Sequence, residues 1–468
     1  MLKAKEIVEA TKGDLISGDI LIDFRGISID SRNINPGDLF IALEGERFNG
    51  HTFVKEALEK GALGAVVACL EKIPHFGDKV IIKVENTLKA LGDIAKTYRE
   101  KFDIPVVAIT GSNGKTTTKE MVAYILSGKF KTIKAKASFN NFVGLPLTLL
   151  EIKDDIQIVV LEMETNLLGG IKRLSEIAQP LVGIVTNIGD THLEYLKSRE
   201  NVFREKVELI ESLLQEGAGI LNYDDPYVVK MKESVKGKLI TFGIDKKANF
   251  YASHIKTKDG YLVFTLNDSH KIKMNTISYT NIYNALAAIS VASFFSLDMK
   301  EVVSALENFK FPPMRMELID MQIKDNSFPG SYYIKIINDC YNANPQSMEV
   351  ALSTLKNMDV LGRRVAILGD MLELGKYASR FHYQIGKICA LCKIDILLAV
   401  GEFAQDLIQG AEEGGLERKN IFTFKNVQDL NRVVENFLEP NDTVLIKGSR
   451  KMQMEKIIER LKERLCQK

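Results

Sequence analysis

The sequence has no apolar run approaching the ~20 residues that a membrane span needs, so no spanning helix is expected. Its first residues, MLKAKEIVEATKG, read as the start of an amphipathic helix and not as a signal peptide, and the expected location is cytoplasmic. Charge of one sign is also lacking. With 62 Lys and Arg against 61 Asp and Glu, the net charge is +1, and no global field draws nucleic acid or a membrane surface. Cysteine is sparse and scattered, at Cys69, Cys340, Cys389, Cys392 and Cys466. Cys389 and Cys392 have C-x-x-C spacing, but no second pair completes a zinc site. They lie in HYQIGKICALCK, whose spacing is helical, so they read as buried thiols. No G-x-G-x-x-G follows any strand candidate, so a dinucleotide is not indicated. There is no internal repeat, no low-complexity linker and no Asn-Lys-x-Asp guanine signature.

What is present centres on one stretch, IPVVAITGSNGKTTTKEMVAYILS, Ile104 to Ser127. Val106 to Thr110 is short, β-branched and apolar, as a buried parallel strand should be. Gly111-Ser112-Asn113-Gly114 interrupts it, and Lys115-Thr116-Thr117 opens a segment with apolar residues at Met121, Val122, Ile125 and Leu126, a helical spacing. Strand, glycine loop, Lys-Thr and helix in that order make a phosphate-binding loop. Glycines let backbone N–H groups turn toward a phosphate, and the helix N-terminus adds its positive dipole end. Lys115 is placed to bridge terminal phosphates and the Thr116 hydroxyl to take a Mg²⁺. The first glycine of G-x-x-x-x-G-K-T would fall at Ile109, so the loop is a variant. By itself it indicates a nucleoside triphosphate and no particular reaction.

At 468 residues, 46% of them hydrophobic, the chain is too long for one core and predicts two to four domains of α/β class. Residues 1–98 form a first unit, with strand candidates at Gly26–Ile29, Asp38–Leu43, Ala65–Ala68 and Val80–Val84 and a helix candidate at Thr52–Lys60. Two polar clusters interrupt it, Asp30-Ser31-Arg32 and Glu44 to His51. They are turns or, equally, a polar ligand pocket, since Arg, Ser and His hold phosphates and a uracil ring. A helix from Thr87 to Lys101 leads into residues 99–311. There the strand Ile156–Leu161 ends in Glu162, where a phosphate-loop protein keeps an acidic residue near Mg²⁺. A third strand, Leu181–Thr186, ends in Asn187-Ile188-Gly189-Asp190-Thr191-His192. Parallel strands converge at their C-terminal ends, so Lys115, Thr116, Glu162 and His192 are expected to meet. Residues 240–274 alternate and predict a small antiparallel appendage. Phe311-Pro312-Pro313 marks a boundary. Residues 312–468 restart the strand–loop–helix pattern, with strands at Tyr333–Asn338, Arg364–Leu368, Ile394–Val400 and Asp442–Ile446 and a closing helix at Met452–Leu465.

These residues resemble the Mur ligases, the ATP-dependent amide-forming enzymes of peptidoglycan precursor synthesis, over nearly the whole chain. Asp30-Ser31-Arg32, Pro36 to Phe40 and Asn49-Gly50-His51 are similar to the family's UDP-binding domain. Thr110 to Glu120 resembles its ATP loop, and Asn140-Asn141-Phe142-Val143-Gly144-Leu145-Pro146 its Asn-Asn-x-x-Gly-x-Pro motif. Asn187 to His192 with Ser198-Arg199-Glu200 and Lys206 resembles its metal segment, and Asn281-x-x-Asn284-Ala-Leu-Ala-Ala its adenine-binding stretch. In the last unit, Tyr341 to Pro345, Gly369-Asp370-Met371-x-Glu373-Leu374-Gly375 and Lys447-Gly448-Ser449-Arg450 look specific to the branch that adds D-alanyl-D-alanine. The Asp-Asn-Pro-Arg string of the branch adding the third amino acid is missing. The chain departs from the family after Glu162, where Met-Gly-x-Asn-His is usual and Met163-Glu164-Thr165-Asn166-Leu167 stands. The usual His before the adenine-binding Asn is Thr280.

The resemblance implies three domains: a small α/β UDP-binding domain (1–98), a central P-loop ATPase-like parallel-sheet domain (99–311) and a C-terminal Rossmann-like α/β domain (312–468). It implies a monomeric ligase that joins D-alanyl-D-alanine to UDP-MurNAc-tripeptide through an acyl phosphate, using ATP and Mg²⁺, with no nucleic acid and no membrane insertion. Thr110 to Thr117, Asn281, Arg315 and Asp339 would bind ATP. Thr116, Glu162, His192 and Lys206 would hold metal, and Lys115, Lys206 and His192 would be catalytic. Ser31, Arg32, Arg47, His51, Asn140, Asn141, Tyr341, Asn342, Asn344, Lys447, Ser449 and Arg450 would bind substrate. Lys206, read from spacing alone, is a helix lysine beside Glu205 and Glu208; the resemblance places it where the family carries a lysine carbamylated by CO₂. The alternatives are another Mur-type or folylpolyglutamate-type amide ligase or, in a different class, a nucleotide switch without ligase activity.

Overall fold

The computed structural model describes residues 2–45, 49–71, 77–136, 139–244, 248–258, 260–324 and 331–466. Three large sheets, beside a two-stranded pairing of Leu2–Lys3 with Asp23–Phe24, carry a three-domain α/β fold. The first runs in the order Asp14–Ser17, Val80–Lys83, Gly64–Val67, Asp38–Ile41, Gly26–Ser28, parallel except for its first strand. Asp38–Ile41 is buried on both faces, Leu39 and Ile41 in one apolar cluster and Phe40 in another. A parallel sheet covered on both sides needs such a run.

The helix Thr87–Arg99 joins this unit to the next. Asn86 caps it by accepting the Lys89 N–H, which otherwise has no partner in the first turn. Its Ala90, Leu91, Ile94 and Tyr98 share one cluster with Leu2 and Ile7 of the first unit and Val106, Ala108 and Leu145 of the second.

The central sheet has nine strands, in the order His270–Met274, Tyr261–Leu266, Phe250–Lys258, Lys238–Gly243, Ala218–Asn222, Val182–Val185, Val106–Thr110, Ile158–Glu162, Thr132–Lys134. Alternation sorts its faces: Val107, Ile109, Val160 and Ile184 pack with the helix Thr280–Phe294, while Val106, Ala108, Val159 and Leu161 face the opposite cluster. The expected appendage at 240–274 is instead continuous with this sheet. Phe250 and Tyr251 pair in parallel with Phe242 and Gly243, and the later residues of the same nine-residue strand turn to antiparallel pairing with Tyr261–Leu266. One long strand serves both ladders, which alternation read residue by residue does not reveal.

The third sheet runs Glu317–Lys324, Ser331–Asp339, Thr443–Lys447, Arg364–Gly369, Ile396–Val400, Ile421–Phe424. Sequence patterning misses its two edge strands, Glu317–Lys324 and Ile421–Phe424, because edge strands lack the continuous buried run of the inner four. Cys389 lies in the helix Ala378–Leu391 and Cys392 at its C-terminal end, both buried and unpaired. Among the described residues, no helix is long and apolar enough to cross a membrane.

Ile184 is fully buried, in register with Ile109 on one side and Ile220 on the other. Ile184→Ala should lower the stability of the central unit by about 2–5 kcal/mol. Chemical denaturation followed by a probe in that unit measures it; an unchanged midpoint would contradict this packing.

Candidate active site

The loop after Val106–Thr110 depends on its two glycines. Gly111 has φ +145°, and a Cβ there would lie 1.9 Å from the Thr186 hydroxyl; Gly114 has φ +82° and sits against Asn284. Neither position accepts a side chain without strain. The neighbouring strand end then clamps the loop. Ser112 N–H donates to the Asn187 carbonyl (2.9 Å), Asn113 N–H to Asn187 Oδ1 (2.9 Å), and the Thr186 hydroxyl to the Asn113 carbonyl (2.6 Å). Lys115 opens the helix Lys115–Leu126 and is 7% exposed. Its ammonium donates to the Gly111 carbonyl (2.9 Å) and ion-pairs with Glu164 Oε1 (2.6 Å).

Two carboxylates project from the end of Ile158–Glu162. Glu162 accepts from the Thr116 hydroxyl (2.8 Å) and from Asn140 Nδ2 (2.9 Å); the same Asn140 amide reaches Glu164 Oε2 (3.1 Å). His192 Nε2 lies 3.2 Å from Glu164 Oε1, and His192 Nδ1 lies 2.6 Å from Glu373 Oε2 of the C-terminal sheet's loops. Burial alone would raise the Glu164 carboxyl. Lys115, His192 and Lys206 outweigh it and hold this carboxyl well below the usual range. Burial likewise lowers His192, and its two carboxylate partners more than reverse that, so its pKa is raised.

Lys206 lies in the helix Arg199–Glu211 and is 1% exposed. Its Nζ has no hydrogen-bond partner. Glu205 accepts from the Gly169 and Ile171 N–H groups, and Glu208 from Lys172 N–H, so both helix neighbours are engaged elsewhere. Burial, reinforced by the Lys115 charge, lowers the Lys206 pKa to about 8.

The C-terminal unit closes the site from the other side. Arg315 Nη2 donates to the Thr116 hydroxyl (2.8 Å) while its guanidinium stacks 3.8 Å from the Tyr341 ring. Asn344 and Gln346, at the start of the helix Pro345–Asn357, bond the Asn113 side chain at 2.8 and 3.0 Å. Lys447 Nζ pairs with Asp339 (2.6 Å). Between the units lies a cavity of about 390 Å³, lined by the phosphate loop, both carboxylates, Asn281, Arg315, Asp339, Tyr341, Asn342 and Lys447.

Three family models match the chain: "Mur ligase family, catalytic domain" over residues 23–99, "Mur ligase middle domain" over 109–292 and "Mur ligase, glutamate ligase domain" over 314–450. The UDP-N-acetylmuramoyl-tripeptide–D-alanyl-D-alanine ligase of Bacillus subtilis is 32% identical over 462 residues, 98% of each chain. The chain belongs to the Mur ligase family. The enzyme of the same name from Escherichia coli is 31% identical, again with 98% of each chain covered. Among solved structures, MurF from Acinetobacter baumannii superposes with a TM-score of 0.87 at 29% identity, covering 98% of both chains. MurF ligase from Thermotoga maritima, in complex with ADP, gives 0.80 at 26% identity, covering 94% of this chain and 98% of that one.

This Mur ligase brings Lys115, Thr116, Glu162 and His192 together at one sheet edge, His192 through Glu164. Of the residues expected to bind ATP, Ser112 to Thr117, Asn281, Arg315 and Asp339 line the cavity; Thr110 lies behind it, its hydroxyl bonded to the Met163 carbonyl. Asn141 Oδ1 accepts the Val143 and Gly144 N–H groups in the turn that leads into the helix Gly144–Leu150. Ser449 bonds Leu372 N–H and Arg450 pairs with Glu455, and neither lines the cavity. Ser31, Arg32 and His51 stay within the first unit. The His51 ring is bonded to Asn49 on one side and accepts the Ala68 N–H on the other. Arg47 lies outside the described residues. Glu164 and Gln346 are site residues outside the expected set, and Glu373 lies in the expected motif Gly369 to Gly375 but had no expected site role. The signal for Glu164 was its place in the departure after Glu162; its contacts needed the fold. Among the described residues, no three His, Cys, Asp or Glu side chains group as a ready cation site.

The His192 bridge should make stability depend on pH. Its folded pKa is raised above 6.5, so its contribution is complete below that value and fades as pH rises through the higher folded one. Glu373, lowered mainly by its bond to His192, adds the opposite limit: the contribution is lost as pH falls through its depressed value. Lys206 titrates in the contrary sense, so the measurement is the difference in Tm between wild type and His192→Asn across pH 4 to 9. That difference should be largest near pH 6 and shrink on the alkaline side. A flat difference would contradict the bridge.

Proposed function

We propose that this chain is an ADP-forming ligase that joins D-alanyl-D-alanine to UDP-MurNAc-tripeptide in peptidoglycan precursor synthesis. The carrying observation is the cavity between the phosphate loop and the Tyr341–Asn344 and Lys447 segments, in a chain with full-length relatives of that name. Residues 1–98 would hold the UDP moiety, 99–311 the ATP and 312–468 the dipeptide, in a cytoplasmic, monomeric enzyme.

A carboxylate is a poor electrophile, and the first step brings two anions together as it attacks the γ-phosphate. Their repulsion at ~4 Å and an effective dielectric of 20 is about 4 kcal/mol. Lys115 and Arg315, both at the Thr116 end of the cavity, are placed to offset it. The Arg315 guanidinium, braced on Tyr341, belongs to the C-terminal unit yet touches the phosphate loop, so closure of that unit completes the site. The amine of the dipeptide then attacks the acyl carbonyl and phosphate leaves.

The residues fit a hard divalent cation. The Thr116 hydroxyl and Glu162 carboxylate, bonded at 2.8 Å, are oxygen ligands of the kind Mg²⁺ takes. Bound there, it would neutralise charge on the transferring phosphoryl group. The orphaned Lys206 amine fits carbamylation. Desolvated, partnerless and with a pKa near 8, it is a nucleophile for CO₂, and the product is a carboxylate on a long arm. With Glu162 and His192 it would offer a second cation site.

With UDP-MurNAc-tripeptide, D-alanyl-D-alanine, ATP and Mg²⁺, mass spectrometry should find the pentapeptide product and ADP. Product formed only with a single free amino acid would reassign the branch, and slow hydrolysis indifferent to both substrates would favour a switch. Lys115→Ala should cost about 2.7–4 kcal/mol of transition-state stabilisation, the loss typical of one preorganised donor to developing charge.

The Lys206 carbamate has its own test. ¹³CO₂ should give a carbamate carbon signal in wild type that Lys206→Ala lacks, and added acetate should partly restore turnover to Lys206→Ala but not to Lys115→Ala. An active Lys206→Ala enzyme without acetate would overturn the carbamate.

A further inference from the structure

Glu164 stands where the family motif usually has glycine, and among the described residues it makes the strong charge contact of Lys115. An ammonium has three donors. Lys115 spends one on the Gly111 carbonyl and points toward the Ser112 carbonyl at 3.4 Å, both within its own loop; the third goes to Glu164 at 2.6 Å. The side chain of Glu164 is 29% exposed and lines the cavity, so the pair is open to an incoming anion. We propose that Glu164 is a displaceable counter-ion for the phosphate loop: it occupies Lys115 in the nucleotide-free enzyme in place of the nucleotide's terminal phosphates, and nucleotide binding requires Lys115 to leave it. It is a positioning residue acting through Lys115.

The exchange leaves no stranded charge. When Lys115 turns to a phosphate, Glu164 keeps His192 at 3.2 Å and Asn140 at 3.1 Å. The carboxylate therefore competes for Lys115 and repels the arriving phosphates, yet is itself held when it loses.

The proposal rests on reading the Lys115 loop as the nucleotide site. Its test is ADP binding by calorimetry in EDTA, without divalent cation. Glu164→Gln and Glu164→Gly should each bind ADP roughly tenfold more tightly than wild type, and Glu164→Asp should stay near wild type. Damage to the fold does not produce such a gain. Glu176→Gln removes an exposed carboxylate of the same unit that pairs with Arg173 and lines no part of the cavity, so it should change ADP affinity by no more than twofold. Glu164 variants that bind ADP no more tightly than wild type would overturn the proposal, as would a Glu176→Gln variant that gains as much. Wild type that binds no ADP would instead overturn the nucleotide site on which the proposal rests.

Discussion

A lysine ammonium held almost entirely out of water needs an anion, and the arrangement around Lys115 follows from that need. A phosphate-loop lysine has to be desolvated to act strongly on a phosphate, because the same charge in water is screened. In this chain the loop carbonyls supply part of its solvation and Glu164 supplies the charge. Glu164 in turn is shared with His192, and His192 with Glu373. A chain of alternating charge thus runs from the phosphate loop into the C-terminal unit.

That chain parallels a second link made by neutral groups. Asn113, inside the loop, bonds both Asn344 and Gln346 at the start of the helix Pro345–Asn357. Arg315 makes a third link, to Thr116. The latter two cross the same cavity, and apolar packing backs all three: Ile188, Leu193 and Leu196 of the central unit share a cluster with Met348, Leu352 and Leu374 of the C-terminal one. The proposed reaction draws its two substrates from different units, so the closed arrangement is where the chemistry is set up. The polar links are the part of it that a ligand can exchange one for one.

The N-terminal unit presents a different balance. Its polar clusters, turns or pocket on spacing alone, are largely bonded to themselves: Arg32 to Asp30, Ser31 to Glu56, His51 to Asn49 and Ala68. Such internal bonding makes a stiff rim. Its helix Thr87–Arg99 belongs to the core of both neighbours, so this unit is tied to the central one through apolar packing, flanked by the ion pairs Asp93–Arg173 and Glu6–Lys101.

The sequence by itself determined the local parts: the strand–glycine–Lys-Thr–helix order, the apolar strands ending at Thr110, Glu162 and Thr186, the break at Pro312-Pro313, and the motifs that mark a Mur ligase. These are legible because backbone freedom at glycine and burial of β-branched runs act within a few residues. Edge strands such as Ile421–Phe424 were not legible, since half-exposed strands carry no continuous apolar signal. The fate of ionisable side chains was decided by tertiary structure alone. Lys206 beside Glu205 and Glu208 looks like a paired helix lysine, yet both glutamates turn to backbone N–H groups and leave its amine buried without a partner. Glu164 reads as a departure from a motif, and only the fold sets it against Lys115, His192 and Asn140, on segments that converge at the sheet edge from distant parts of the chain. Charge and desolvation depend on which segments meet in space, and neighbours in sequence do not reveal that.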